Sequence, residues 1–299
     1  VAQELISAHR VLVGGAPADR AARQVAPAEA VTVTGAPSRF VGRGGEKLDA
    51  ALDSFALDVA GRNALDAGAS TGGFTDCLLQ RGARRVTAVD VGRGQLHERL
   101  RADPRVESRE RTNIRHLGLS DLPAAPFDLV VADLSFISLR TVAPALVGLA
   151  APGADLVLLV KPQFEVGRRE ADRGRGVIRD PALWAAALLD AGAAMESEGA
   201  TMMGAMVSPL RGADGNVEFL AHLVARPAPP IPVLAERIDA RALAASALPA
   251  EVLPASALPA SALPASALPA SALPASALPA SALPAEVAGP AHQADPEPA

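Results

Sequence analysis

The sequence predicts an α/β domain built on a doubly wound, mostly parallel sheet whose last two strands form an antiparallel hairpin. Three observations carry that prediction. Over residues 46–226, short β-branched runs alternate with helical patterns, and strands separated by helices run parallel through right-handed crossovers. The last two runs, TMMGAMVSP and NVEFLAHLVA, are separated only by the turn-prone RGADGN, which is too short for a crossover and fits a hairpin. Hydrophobic residues make up 49% of the 299-residue chain, enough for a sizeable core.

The elements follow in chain order. Residues 1–35 read as a helix, VAQELISAHR, then a short strand in RVLVGG and a second in VTVTG. Residues 36–45, APSRFVGRGG, form a Pro/Gly-rich linker. Within 46–226 the parallel strands fall on NALDAG, RRVTAVDVG, RVESRER, FDLVVADLS and ADLVLLVKP. Residues 227–299 have a different composition, and from Ser246 to Ala285 they repeat the pentad SALPA, once varied to EVLPA. A proline every fifth residue forbids a continuous helix and no aromatic side chain is present to anchor a core. This tail therefore reads as disordered or partly polyproline II.

Composition narrows the functional classes. The single cysteine, Cys77, cannot form an intramolecular disulfide, and with five scattered histidines no metal site is expected. No run of about 18 apolar residues and no basic-then-apolar leader occurs, so a soluble, cytoplasmic protein is expected. The net charge of −5 conceals an uneven distribution. Residues 1–115 carry 17 basic and 14 acidic groups, whereas the stretch beyond Arg226 has two arginines against six acids. Arg168, Arg169, Arg173, Arg175 and Arg179 cluster with only Glu170 and Asp172 among them. A polyanionic partner responds to such patches more than to the total, so charge permits RNA without demanding it.

The chemistry begins at LDAGASTGGFTDCLL, residues 65–79. Asp66 ends a strand, glycines follow at 68, 72 and 73, and a helix opens near Phe74. Small residues there let the backbone approach a nucleotide-like ligand, and a helix amino terminus attracts a carboxylate or phosphate. Asp90 closes the next strand, where an acid can grip ribose hydroxyls. Together these point to an adenosine-containing cofactor, and the D-x-G-x-x-x-G-G spacing suits S-adenosylmethionine better than NAD. The basic residues add a second signal: 26 are arginine and only Lys47 and Lys161 are lysine. Where arginine is the default, a retained lysine marks a position that needs a compact charge and a tunable pKa; a plain salt bridge is the alternative. Asp133 ends the fourth parallel strand and Lys161 the fifth, at the edge where ligands of doubly wound sheets bind. Glu218 lies on the last strand between Val217 and Phe219, where it faces either the site or solvent.

At this point SRFVGRGGEKLDAAL, LDAGASTGGFTDCLL, VVADLSFISL, LLVKPQFEVG and GNVEFL resemble the TlyA family, whose catalytic domain is FtsJ-like. The resemblance covers about residues 1–226 and implies an S-adenosylmethionine-dependent 2′-O-methyltransferase of ribosomal RNA, cytidine being the implied nucleotide. It implies a Rossmann-like methyltransferase sheet and a catalytic tetrad of Lys47, Asp133, Lys161 and Glu218. Cofactor contacts are implied at Asp66, Gly68, Ser70, Gly72, Gly73, Phe74 and Asp90, with Asn113 beside the adenine. Residues 1–35 are similar to the second half of an S4 RNA-binding domain, with Val1 falling inside the module. RNA contacts are expected from Arg168, Arg169, Arg173 and Arg175 in a glycine-rich loop, or from Arg10, Arg20, Arg23 and Arg43. The expected partners are ribosomal RNA or ribosomal subunits, with neither a membrane nor a metal involved. Lys161 is expected to act as base or steering group, with burial and Lys47 disfavouring its charge and Asp133 opposing them. Asp133 would orient it, and Lys47 and Glu218 would hold the ribose. The rival readings are an RNA-binding protein without catalysis, a small-molecule methyltransferase, and a membrane-active haemolysin, a description attached to such sequences.

Overall fold

The computed structural model describes residues 2–7, 9–35, 38–225 and 239–247. They lie in a unit spanning Val1–Val252; a second unit, Leu253–Ala299, lies outside the described residues, as does nearly all of the SALPA repeat. The amino-terminal segment has helix α1 (Ala2–Ser7) and strands β1 (Val11–Val13), β2 (Ala16–Pro17) and β3 (Val31–Val33) in the antiparallel order β2-β1-β3. The sequence pattern does not signal β2. It exists because Gly14 and Gly15 take φ of 59° and 84°, the double positive-φ turn that joins tight hairpins.

The main domain runs α2 (Gly44–Ser54), β4 (Asn63–Ala67), α3 (Gly73–Gln80), β5 (Arg85–Val89), α4 (Glu98–Arg101) and β6 (Val106–Arg109). It continues with β7 (Phe127–Ala132), α5 (Leu139–Gly148), β8 (Ala150–Val160), α6 (Pro162–Glu165), α7 (Arg168–Arg173) and α8 (Pro181–Ser197). Strands β9 (Ala200–Val207) and β10 (Phe219–Ala225) and helix α9 (Ala240–Ser246) complete it. The sheet order is β6-β5-β4-β7-β8-β10-β9, parallel through β8, with β10 antiparallel to both neighbours. From β4 the chain steps outward to β5 and β6, then returns to β7 on the other side. That reversal opens a crevice at the carboxyl ends of β4 and β7.

Side-chain alternation fills two cores. Leu156, Leu158 and Val160 of β8 pack with Trp184 and Leu188 of α8, whereas Val157 and Leu159 pack opposite with Leu48 and Leu52 of α2 and Leu78 of α3. Burial on both faces explains why the parallel strands read as nearly continuous apolar runs. No described helix is long and apolar enough to cross a membrane.

Three boundaries differ from the expected ones. The linker does not reach residue 45, because Phe40 is buried in the second core, the Val41 amide donates to Asp76 Oδ2 at 2.8 Å, and α2 begins at Gly44. The arginine stretch expected as a loop contains α7, which RREADR favours by helix propensity and by a Glu170–Arg173 ion pair one turn apart. The tail expected to be disordered from residue 227 contains α9, capped by Asp239, with Ala240 and Ala244 buried against the core around α8; the rest of that expectation lies outside the described residues.

Candidate active site

The carboxyl ends of β4, β5, β7 and β8 converge on the crevice. Beyond β4, Gly68 has φ of 86°, and a Cβ there would lie 2.5 Å from the Asp133 carbonyl oxygen. Only glycine lets these two strand-end turns approach so closely. Gly72, at φ of 97°, caps α3, and a Cβ on it would strike Leu100. Asp90, beyond β5, accepts from the Ser70 amide at 2.8 Å and the Gly92 amide at 2.6 Å. Its carboxylate is thereby fixed at the rim.

Two adjoining clefts result. The larger, about 440 Å³, is lined by Gly68, Ser70, Asp90, Asn113, Ser135 and Phe136, with Val91, Ile114, Leu134 and Ile137 as apolar walls. The smaller, about 250 Å³, is lined by Arg43, Lys47, Ser70, Gly73, Phe74, Asp133 and Lys161 among others. Gly68, Ser70, Asp133 and Ser135 line both. Apolar walls, a fixed acid and an exposed backbone turn suit an adenosine moiety in the larger cleft.

The four tetrad residues form two pairs. Lys161 Nζ lies 2.5 Å from Asp133 Oδ1 and donates to Ser135 Oγ at 3.0 Å. Lys47, on α2, is ion-paired with Glu218 just ahead of β10, and both are buried. Each lysine thus has its own carboxylate, Glu218 for Lys47 and Asp133 for Lys161. Glu218 faces inward rather than solvent, and the space it occupies depends on Gly212, where a Cβ would come within 2.1 Å of Glu218 Oε1.

Of the predicted cofactor residues, Gly68, Ser70, Gly73, Phe74, Asp90 and Asn113 line the clefts. Asp66 and Gly72 do not. Asp66 is fully buried and accepts from Thr75 Oγ1 at 2.6 Å, so it supports the turn from beneath. Gly72 contributes conformation rather than lining. Among the predicted arginines, Arg43 lines the smaller cleft. Arg10 donates to the Thr34 carbonyl at 2.8 Å, Arg23 pairs with Glu29, and Arg173 pairs with Glu170. Arg20 borders an apolar hollow of the amino-terminal segment, and Arg175 is exposed. The side chains of Arg168 and Arg169 lie outside the described residues.

Ser135 and Phe136 are not among the residues that the sequence pattern singles out. Their signal was available, since both lie within three residues of Asp133 in the turn just beyond β7. Phe136 is 90% exposed and packs against Phe164 with ring centroids 5.2 Å apart. The turn bearing them is anchored by Glu165, which accepts from Ser138 Oγ and the Leu139 amide at 2.5 and 2.8 Å. Burial holds the Glu165 carboxyl above its usual range, against those two hydrogen bonds and the nearby Arg140.

Residues 40–225 match the FtsJ-like methyltransferase family. The chain is 52% identical over 223 residues to the 16S/23S rRNA (cytidine-2'-O)-methyltransferase TlyA of Mycobacterium tuberculosis, covering 74% of this chain and 82% of that protein. It is 38% identical over 223 residues to Hemolysin A of Brachyspira hyodysenteriae, covering 75% and 92% respectively. Among solved structures, a protein described as a hemolysin from Streptococcus thermophilus superposes with a TM-score of 0.71 at 37% identity, covering 82% of this chain and 88% of that one.

Proposed function

The chain belongs to the FtsJ-like methyltransferase family, and from that premise we propose that it methylates a ribose 2′-hydroxyl of ribosomal RNA, cytidine being the target by likeness to its relative. One observation carries the site assignment: two clefts meet at Asp133 and Ser135, with Lys161 held between them. S-adenosylmethionine supplies an activated methyl group when bound. Asp90 would hold its ribose, Asn113, Ile114 and Ile137 would enclose its base, and Gly68 would admit its backbone-facing edge.

The rest is done by this chain's side chains. In-line placement of the 2′-oxygen supplies much of the rate, so the smaller cleft is a positioning device. Lys161 faces that oxygen and receives or steers its proton, while Asp133 and Ser135 fix the direction of Nζ. Lys47, held by its ion pair with Glu218, lines the smaller cleft and would form the wall against which the ribose rests. Phe136 offers an open aromatic face for an unstacked base, a common device in single-stranded RNA recognition. The amino-terminal segment, similar to part of an S4 domain, and the arginines around α7 would grip phosphates. The working compartment is the cytoplasm and the substrate is RNA presented in a ribosomal subunit.

The test is transfer of labelled methyl groups to ribosomal RNA or subunits, followed by identification of the modified nucleoside. In the same assay Lys161→Arg lowers turnover by about 100-fold or more, because guanidinium keeps the charge but neither fits a compact pair nor gives up a proton. S-adenosylhomocysteine affinity stays within about twofold. Turnover within about threefold of wild type removes Lys161 from the chemistry.

A further inference from the structure

Asn216 is buried beside the catalytic carboxylate, two residues before Glu218, yet its side chain is turned away from the clefts. Its Oδ1 accepts from the Ile178 amide at 3.0 Å and its Nδ2 donates to the Gly176 carbonyl at 2.8 Å. Both partners belong to the turn that brings the chain out of α7 and into α8. Trp184 Nε1 donates to the Ile178 carbonyl at 2.9 Å, so Ile178 is held at both backbone groups. On the other side, the Asn216 carbonyl accepts from the Gly212 amide at 2.9 Å, and the Glu218 carbonyl accepts from the Ser208 amide at 2.8 Å. One buried amide thus joins the arginine-bearing stretch 167–179 to the loop that aims Glu218 at Lys47.

We propose that Asn216 is a positioning residue that couples phosphate contact at the arginine stretch to the placement of the Lys47–Glu218 pair. This rests on the reading that the protein acts on RNA with Glu218 in its site. The amide is specific to the task, because it must donate and accept at once. Aspartate at this position could still accept from Ile178 but would set a carboxylate oxygen against the Gly176 carbonyl. Arg175 and Arg179 are exposed on either side of the tethered turn, and Arg173 ends α7 just before it. A polyanion that draws these arginines inward displaces the turn, and the buried amide passes that displacement to residues 212–218.

The experiment is a double-mutant cycle on kcat/KM for ribosomal RNA, comparing wild type, Arg173→Ala/Arg175→Ala, Asn216→Asp and the combination. Each variant is checked for its melting temperature and S-adenosylhomocysteine affinity. The arginine variant loses about tenfold in kcat/KM and shows a shallower salt dependence, as released counterions require. Asn216→Asp loses about tenfold in kcat with cofactor affinity kept within about twofold. In the Asn216→Asp background, removing the arginines costs less than about threefold, since coupled residues are non-additive. Fully multiplicative losses overturn the coupling while leaving the methyltransferase reading intact. An arginine variant indistinguishable from wild type also overturns it, by showing that the stretch does not meet RNA. Absence of methyl transfer by the wild-type protein is the separate result that sinks the reading beneath it. A measurement on wild type covers the case in which Asn216→Asp does not fold: RNA slows amide exchange at residues 212–218 together with 167–179, and protection confined to 167–179 overturns the proposal.

Discussion

Asp66 shows how burial sets the behaviour of a single residue. It lies wholly inside β4, where Oδ2 accepts from Thr75 and Oδ1 has no hydrogen-bond partner. Burial pushes its carboxyl up to about 7; the Thr75 hydroxyl opposes this, and Asp133 and then Asp90 add to it. A folded-state value above the unfolded 3.8 means that the native state binds the proton more tightly. Its contribution is fully present below about pH 4 and is lost as pH rises through about 7, at most about 4 kcal/mol at 1.4 kcal/mol per pH unit. Asp66→Asn therefore gains stability relative to wild type as pH rises from about 4 to 8, read as the difference between urea midpoints. A difference that stays flat with pH removes Asp66 from the linkage. The glycine spacing around Asp66 was legible, but the direction of its side chain was not. In a strand with apolar faces on both sides, alternation does not reveal which face meets the ligand. Lysine scarcity singled out Lys47 and Lys161 equally, yet their different partners depend on a contact 171 residues apart in sequence.

At the scale of elements, the β9–β10 connection carries Glu218, which reaches the smaller cleft only through its ion pair with Lys47, and none of its residues lines either cleft. RGADGN was legible as a turn because its glycines, aspartate and asparagine favour positive φ, and Asp214 and Gly215 adopt 56° and 83°. What the pattern concealed is that Gly212 is needed for space: its φ is not positive, and the constraint comes from Glu218 packing over it. Gly212→Ala forces the Glu218 carboxylate off Lys47. Turnover on RNA then falls by about tenfold or more, equivalent to about 1.4 kcal/mol of barrier, while S-adenosylhomocysteine binding is retained. Paired kinetics and calorimetry test this, and undiminished turnover would show that Glu218 is dispensable. Helix α7 is concealed in the sequence for a related reason. Gly167 and Gly174 looked like loop signals, but they bound a six-residue helix rather than interrupt one.

For the whole molecule, the question is where the folded core ends. Composition placed the end at residue 226, because the proline pentads dominate everything beyond it. A seven-residue alanine-rich helix carries too little hydrophobic periodicity to stand out beside them. Yet α9 closes the first core: Ala240 and Ala244 are buried there, Leu243 and Ala247 are partly buried against it, and Arg211 donates to the Ala247 carbonyl at 3.3 Å. The buried apolar surface of these side chains is worth about 1–3 kcal/mol, and in a domain of this size each kcal/mol moves the melting temperature by about 2–4 °C. Two truncations isolate the helix without reference to anything beyond it. A chain ending at Ala247 keeps α9, whereas a chain ending at Ala225 loses it and leaves part of the α8 face bare. The shorter chain melts roughly 3–8 °C lower, measured by calorimetry at one protein concentration. Its turnover per folded molecule stays close to that of the longer chain, because neither α9 nor its contacts reach the two clefts. Equal melting temperatures would place the end of the cooperative core at β10, as composition alone had suggested.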